Sequence, residues 1–573
     1  MKHKKNTWLL SSIIGVSMAL LGCSATPEKQ NATVAQAEAF IDIAEKQNTE
    51  IRNIMDDTWL VSAFFSSVDS INLRDRMIAL RNQTVSNNVY ASAQFKDVKL
   101  NDEMTFRLSK LRSGMFSPQP ENHQQAASLT ELTTSLREKH ANKVCEKGPT
   151  TKECLSLDDI NNIMVKSNDH EELLATWQHA RSHTTSMRAD YKDKVALTNL
   201  GAQRAGFDDI AQMRNIRYFQ VPANETINAL DQAWQQISPL YESMQCHVKA
   251  ELNAKFGDDI VQLDKPIPAH LLGNITGSNF SSLYDNLAPE GVIVDRDNDL
   301  TEKLNSSNYT EIDLVRIADK FHASLGFTPF DETFYKESNF TQPETYDVQC
   351  NTGHWWIYGD NQARIAHCFN INAFDFYDNH QGLGRILYQK YAAPKSPSAD
   401  RVAPTSFAFG FMKAIKLSIT PGYLKKVDLL DELPSASEEL SHLMKLALEE
   451  VAAIPFYIAV DKWRWAVASG DILPENYNQA WWDLITQYQG VASITSRDDA
   501  YFDPGAIAAV INNLDLSVTA VDNILKYQFH KILCDASGNS KSLSNCSIYN
   551  SKEAGNKLKE LFKMGNSKPW SES

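Results

Sequence analysis

The sequence predicts a mostly α protein with a small β contribution, and three observations carry that reading. Helical patterning runs from Ala35 to about Leu136 and again from Leu155 to Tyr218. A capping box, Ser435 with Glu438, precedes Leu440, Leu443, Met444, Ala447, Leu448 and Val451, which repeat at helical spacing. Strand-like residues gather between Tyr346 and Ile371, where Trp355, Trp356, Ile357 and Tyr358 sit among turn formers.

In chain order, Lys2, Lys4 and Lys5 precede an apolar run from Trp8 to Leu21 that closes with Leu20-Leu21-Gly22-Cys23. This has the outline of a signal peptide over residues 1–22, and its end resembles the bacterial lipobox. The run is short for a membrane-spanning helix. Cleavage before Cys23, lipid on its sulfur and export to the periplasm are therefore expected. Ser24, where an Asp would retain the protein at the inner membrane, points to the outer membrane. Residues 23–34 are polar and read as a tether, and 35–573 as one domain. Pro118 and Pro120 mark a loop. Asp285 to Asn308 is acidic and polar without clear periodicity, which predicts a surface loop. Pro455 is expected to end the helix that Ser435 begins. No internal repeat or low-complexity segment is present.

The formal charge of -15 over 573 residues excludes a nucleic-acid partner, because neutralising phosphates takes clustered Lys and Arg. Eight cysteines fit an oxidising compartment once Cys23 is assigned to lipid. The Asn-x-Ser/Thr triplets at Asn274, Asn308 and Asn339 read as ordinary polar sequence behind such a leader.

Longer strings carry more information. Ile267-Pro-Ala-His-Leu-Leu-Gly-Asn274, Leu443 to Gly490 with its Trp-rich VDKWRW, Phe502-Asp-Pro-Gly-Ala506 and Ile548 to Trp570 resemble the peptidyl-dipeptidase A family, the angiotensin-converting-enzyme-like zinc peptidases. The resemblance implies an all-helical, zincin-like unit of two lobes around a deep cleft, with its N-terminal helices over the cleft mouth. It also implies three disulfides, Cys145 with Cys154, Cys350 with Cys368 and Cys534 with Cys546. Cys246 is left over and is expected to be a buried free thiol.

What the resemblance does not bring is the chemistry. A zinc peptidase of this kind needs two histidines one helical turn apart, with a glutamate beside the first, so that one helix face grips the ion. Counted from Cys368, the first zinc histidine falls on Gln381, the general-base glutamate on Gly382 and the second histidine on Arg385. Counted from Thr420-Pro421, the third ligand falls on Ala408, with Phe407 and Phe409 on either side. The His and Tyr that stabilise the family's tetrahedral intermediate correspond to Ala509 and Thr519. The substrate-carboxylate clamp corresponds to Ser278, Ile507 and Leu516, and the chloride-holding arginines to Val518 and Ile485. The family's substrate-contacting HASA becomes Asn351-Thr352-Gly353-His354. Without ligands no bound water is brought to a pKa near 7, and without the carboxylate no base takes its proton.

Taken alone, QGLGR describes a surface helix passing through two glycines. His354, His367 and His380 fall near it in sequence. Three histidines without a carboxylate at helical spacing read more readily as satisfied or exposed side chains than as a relocated zinc site. Cys246 has only the adjacent His247, which does not face it on a helix. The expectation is therefore a lipid-anchored periplasmic pseudopeptidase, with no catalytic residue, zinc or chloride, whose cleft holds a peptide or an envelope protein. The competing expectation is an active zinc peptidyl-dipeptidase releasing C-terminal dipeptides. A third, a purely structural protein, requires Phe407, Phe409 and Phe411 to fill the old metal cavity.

Overall fold

The computed structural model describes residues 32–141, 154–350, 353–357, 362–392, 405–539 and 541–565. Helices dominate, and the strands are few and short. β1 (Ile267–Pro268) pairs in parallel with β4 (Val491–Ala492), while β2 (Gly353–Ile357) and β3 (Gln362–Ala366) form an antiparallel hairpin with His354 opposite Ile365. Eight helices frame the argument: α1 (Val34–Phe64), α2 (Val68–Ser92), α3 (Ala223–Phe256), α4 (Glu311–Ser324), α5 (Ala373–Tyr391), α6 (Thr405–Leu417), α7 (Ala453–Ser469) and α8 (Leu516–Ala536). None of the described helices is long and apolar enough to cross a membrane.

Two large apolar cores account for the architecture. In the first, Trp463 of α7 packs with Tyr191, Tyr477, Trp481 and Phe502 at ring separations of 5.6–6.4 Å. The second gathers Phe321 of α4, Phe376 of α5, Phe411 of α6, Phe529 of α8 and Phe562. Helix α8 spans both, with Val521 in the first core and Phe529 and Leu533 in the second. Asp461, inside the VDKWRW string, is buried and ties α7 to the start of α8: its carboxylate accepts from Ser517 N at 2.7 Å and from Arg464 Nη1 at 2.7 Å. Buried charges must be paired, and the string supplies both partners, Asp461 and Arg464.

The N-terminal pair α1–α2 carries a small core of its own, with Ala37 and Ile41 against Phe95 and Leu108. Both helices open with a capping box, Thr33 with Gln36 and Ser67 with Ser70. The turn between them reaches the segment before the β2–β3 hairpin. Ser66 N donates to Asp347 O at 2.7 Å, Gln349 N donates to Ala63 O at 2.9 Å, and Phe65 stacks on Tyr346 at 5.4 Å.

Several expectations hold, among them the Ser435–Glu438 capping box, the strand pair within 346–371, and the Cys350–Cys368 and Cys534–Cys546 disulfides. Cys145 and Cys23 lie outside the described residues. Three expectations are corrected. The Asp285–Asn308 stretch contains a helix, Arg296–Ser306, capped by Asp295 and held by buried Leu300 and Leu304; two apolar positions one turn apart suffice when both are fully used. Pro455 does not end a helix. The break falls at a wide turn over Ala447–Val451, and Pro455 sits in the first turn of α7, where its missing N–H has no partner to lose. Cys246, expected buried, is a free thiol on the exposed face of α3, whose core contacts are made by Tyr241, Met244 and Val248.

Candidate functional site

Helix α5 is built to be rigid at its start. Asn372 caps it by accepting from Asp375 N at 2.8 Å, and Asp375 in turn accepts from Asn370 N at 2.6 Å. His367 Nε2 lies 3.6 Å from the Asp375 carboxylate, and the Cys350–Cys368 bond fastens the preceding segment to the chain before β2. Downstream, Phe376, Leu383, Ile386 and Leu387 are buried, pressing α5 onto α4, α6 and β2.

His380 faces the core. Its Nδ1 lies 2.8 Å from Phe376 O and so carries the proton, leaving Nε2 to accept from the Tyr423 hydroxyl at 2.9 Å. His322 of α4 adds a second layer, its Nε2 donating to His380 O at 2.9 Å. Burial pushes His380 down to about 3 and His322 to about 4, so both are neutral at pH 7. His380 is a satisfied core residue whose ring nitrogens are both taken.

The next residues turn to the other side of α5. Gln381 and Arg385 are one turn apart and share a face. Gln381 is half-buried, Arg385 is exposed, and neither side chain makes a hydrogen bond or ion pair among the described residues. Gly382 and Gly384, which a surface helix has no reason to contain, are buried. A Cβ at Gly382 would stand 2.2 Å from His354 Nε2 and 2.4 Å from its Cδ2 and Cε1; one at Gly384 would stand 2.4 Å from Ile415 Cδ1. The His354 imidazole, projecting from β2, therefore occupies the space into which any side chain at position 382 would grow. Its Nε2 is buried without a partner, and burial, with His367 and Arg385 nearby, holds it at about 3. Asp378, one turn before Gly382, has its carboxyl raised by burial, with His367 opposing.

Around this centre, Ala408 is half-buried on α6 between buried Phe407 and exposed Phe409. Phe407 and Phe411 pack on Phe529 at 4.9 and 4.0 Å, which binds α6 to α8. With Phe409 at the surface, the three phenylalanines do not jointly fill a cavity. Ala509 and Ile507 are buried, as is Ile485, while Ser278, Leu516, Val518 and Thr519 are half-buried. Asn351 and Thr352 lie outside the described residues.

These positions offer an amide, a bare Cα, a guanidinium and a methyl group. His354 and His367 stand 6.1 Å apart by ring centroid, and His380 is engaged on the opposite side of α5. The cluster of three metal-type ligands found among the described residues lies elsewhere, at His530, Cys534 and Cys546, and two of its sulfurs are spent on each other in a disulfide. No His-Glu-x-x-His pentad occurs anywhere in the sequence; its one His-Glu pair, His170-Glu171, is followed by Leu174 where the second histidine would stand.

Comparison with known proteins decides the ancestry. The profile of peptidase family M2, described as angiotensin-converting enzyme, matches residues 31–573. The chain belongs to this family. Angiotensin-converting enzyme of Bos taurus is 31% identical over 549 residues, covering 94% of this chain and 41% of that protein. The enzyme of the same name from Theromyzon tessulatum is 34% identical over 463 residues, 80% of this chain and 74% of its own length. Angiotensin-converting enzyme-like protein Ace3 of Mus musculus is 30% identical over 547 residues, 94% of this chain and 73% of its own. The chain thus spans about two fifths of the bovine relative's length.

The packing of His354 against Gly382 is what sequence reasoning missed. His354 was noted as the last letter of the altered motif and as one of three histidines weighed for a relocated metal site, and the available signal for its position was a pair of helical glycines needing something large to face them.

Proposed function

We propose that this M2-family chain is a lipid-anchored protein of the bacterial envelope that binds a peptide or protein segment and does not hydrolyse it through zinc. One observation carries the reading: at Gly382 the space for a general-base side chain is taken by the His354 ring, on a helix face whose neighbouring positions are Gln381 and Arg385. Zinc needs three charged or imidazole ligands and an open position, and a fixed guanidinium beside the ion would repel it. The names of the relatives speak of a converting enzyme or a protein like it; here they are taken to indicate descent. The lipid anchor rests on the Leu20-Leu21-Gly22-Cys23 string, and periplasmic exposure on the disulfides.

Elemental analysis of the purified chain, paired with cleavage of a short peptide in the presence and absence of a chelator, tests the reading. Sub-stoichiometric zinc and no chelator-sensitive cleavage are expected. Stoichiometric zinc with chelator-sensitive release of a C-terminal dipeptide would establish the competing peptidyl-dipeptidase instead. For the anchor, Cys23→Ser is expected to move the protein from the membrane to the soluble fraction of the envelope.

A further inference from the structure

One group of metal-type ligands sits on α8 and the loop after it, not on α5. His530 and Cys534 stand one turn apart on α8, so their side chains share a face. Cys546, from the following loop, closes on the same point: a ring nitrogen of His530 and the sulfurs of Cys534 and Cys546 all lie within 4.8 Å of one another. All three residues are buried, the two cysteines inside the second apolar core. A tetrahedral ion about 2.3 Å from a sulfur and about 2.1 Å from a nitrogen holds those two ligands about 3.6 Å apart. His530 Nε2 is 3.6 Å from Cys534 Sγ. The Leu543 carbonyl, 3.1 Å from the same Nε2, supplies a fourth donor oxygen. On the other side of the ring, Ser418 Oγ lies 3.5 Å from Nδ1, and the Ala414 carbonyl of α6 also bonds the imidazole. A metal-bound histidine keeps its remaining N–H on a carbonyl in this way. Burial pushes His530 below its usual value, so the ring is neutral at pH 7 and free to ligate.

In the oxidised chain the two sulfurs are bonded to each other, and it is the thiolate that ligates metals. Every chain is nevertheless synthesised with thiols. We infer that, before the Cys534–Cys546 disulfide forms or after its reduction, His530, Cys534 and Cys546 bind one thiophilic divalent cation of the zinc type. Side-chain rotation parts the sulfurs to about 3.8 Å, within reach of Cα atoms 6.2 Å apart. Binding releases both thiol protons, and the two thiolates cancel the charge of the ion, which suits the apolar surroundings of Leu533 and Ile548. Leu543 is exposed, so the turn it begins, Leu543–Asn545, gives the ion a way in. Oxidation expels the ion. One thiolate attacks the disulfide of a dithiol-class oxidant, the second attacks the mixed disulfide so formed, and the Cys534–Cys546 bond closes; two electrons pass to the oxidant, whose sulfurs leave as thiolates and take protons from water. The site is independent of the peptide-binding reading above.

Full-length protein, reduced under argon with a phosphine and then freed of it, is titrated with cobalt(II), whose absorption reports thiolate ligation, and afterwards with zinc. One equivalent of cobalt with thiolate-to-metal absorption, displaced by zinc, is expected from the reduced protein and none from the oxidised. His530→Gln is expected to weaken cobalt binding about tenfold or more, and Cys534→Ser to abolish it. Zinc is also expected to slow alkylation of Cys534 and Cys546 in the reduced protein severalfold, read by mass spectrometry of their peptides, while the other cysteines react as before. That measurement uses the natural sequence, so the test does not depend on the variants folding. No thiolate absorption from the reduced protein, absorption that survives Cys534→Ser, or alkylation of Cys534 and Cys546 that zinc leaves unchanged overturns the site. Stoichiometric zinc on the oxidised protein would bear on the zinc-free reading of α5 alone, whereas the difference between the two redox forms decides this one.

Discussion

Replacing Gly382 with alanine should destabilise the protein, and removing the His354 ring should reverse the sign. Two terms oppose each other. Alanine in a helix interior is favoured over glycine by about 1 kcal/mol. Against that, the new methyl would meet His354 Nε2 at 2.2 Å. Relaxing the contact to an ordinary ~3.5 Å requires the ring to retreat by about 1.3 Å, and Phe369 and His367 stand behind it at 6.2 and 6.1 Å by centroid. Inserting a methyl into such a place costs about 1–3 kcal/mol, so Gly382→Ala should lose up to about 2 kcal/mol net. In a His354→Ala background the clash is gone and the same change should gain about 1 kcal/mol. Thermal melts of the four proteins in the cycle provide the assay, and the ordering matters more than the size. If Gly382→Ala raises the melting temperature equally in both backgrounds, the ring does not fill that space and the account of the site collapses.

Other consequences can be checked separately. Because His354, His380 and His322 are held below their unfolded value near 6.5, the unfolded chain binds more protons between that pH and about 4. Stability should therefore fall as pH drops through this window, each histidine contributing up to about 1.4 kcal/mol per pH unit, and His354→Ala should show a shallower slope in melts from pH 7.5 to 5. Native protein should release one equivalent of colour with a thiol reagent, from exposed Cys246; Cys246→Ser should abolish it and shift stability by less than about 0.5 kcal/mol. Opening the ring of separation 18 between Cys350 and Cys368 by a double serine substitution should cost about 3 kcal/mol on the chain-entropy account, read as a lower denaturation midpoint. Tyr423→Phe leaves His380 Nε2 buried without its donor and should cost about 1–3 kcal/mol.

Local signals carried well from sequence to structure. Ser435 with Glu438 and the strand pair around His354 are each specified by residues close to one another in the chain, while the two described disulfides followed from the resemblance to the family. The Arg296–Ser306 helix was hidden because only Leu300 and Leu304 face inward, too few to set a period. Pro455 misled because a proline in a first turn and one that breaks a helix look alike in a string. At the site, the positions of Gln381, Gly382 and Arg385 on one helix were legible through the family resemblance, counted from Cys368. That His354 would lodge against Gly382 was not, since contact between β2 and α5 is a tertiary matter that no window of sequence contains.

The bonds from the α1–α2 turn to the chain before β2 run mainly through backbone atoms, Ser66 N to Asp347 O and Gln349 N to Ala63 O. Main-chain clasps of this sort tolerate drift in the side chains on both sides, because the bonding atoms belong to every residue alike. Since the clasped strand is covalently stapled through Cys350 to the residues preceding α5, a visitor prying the N-terminal hairpin away would tug on the very segment that carries His354 and Arg385.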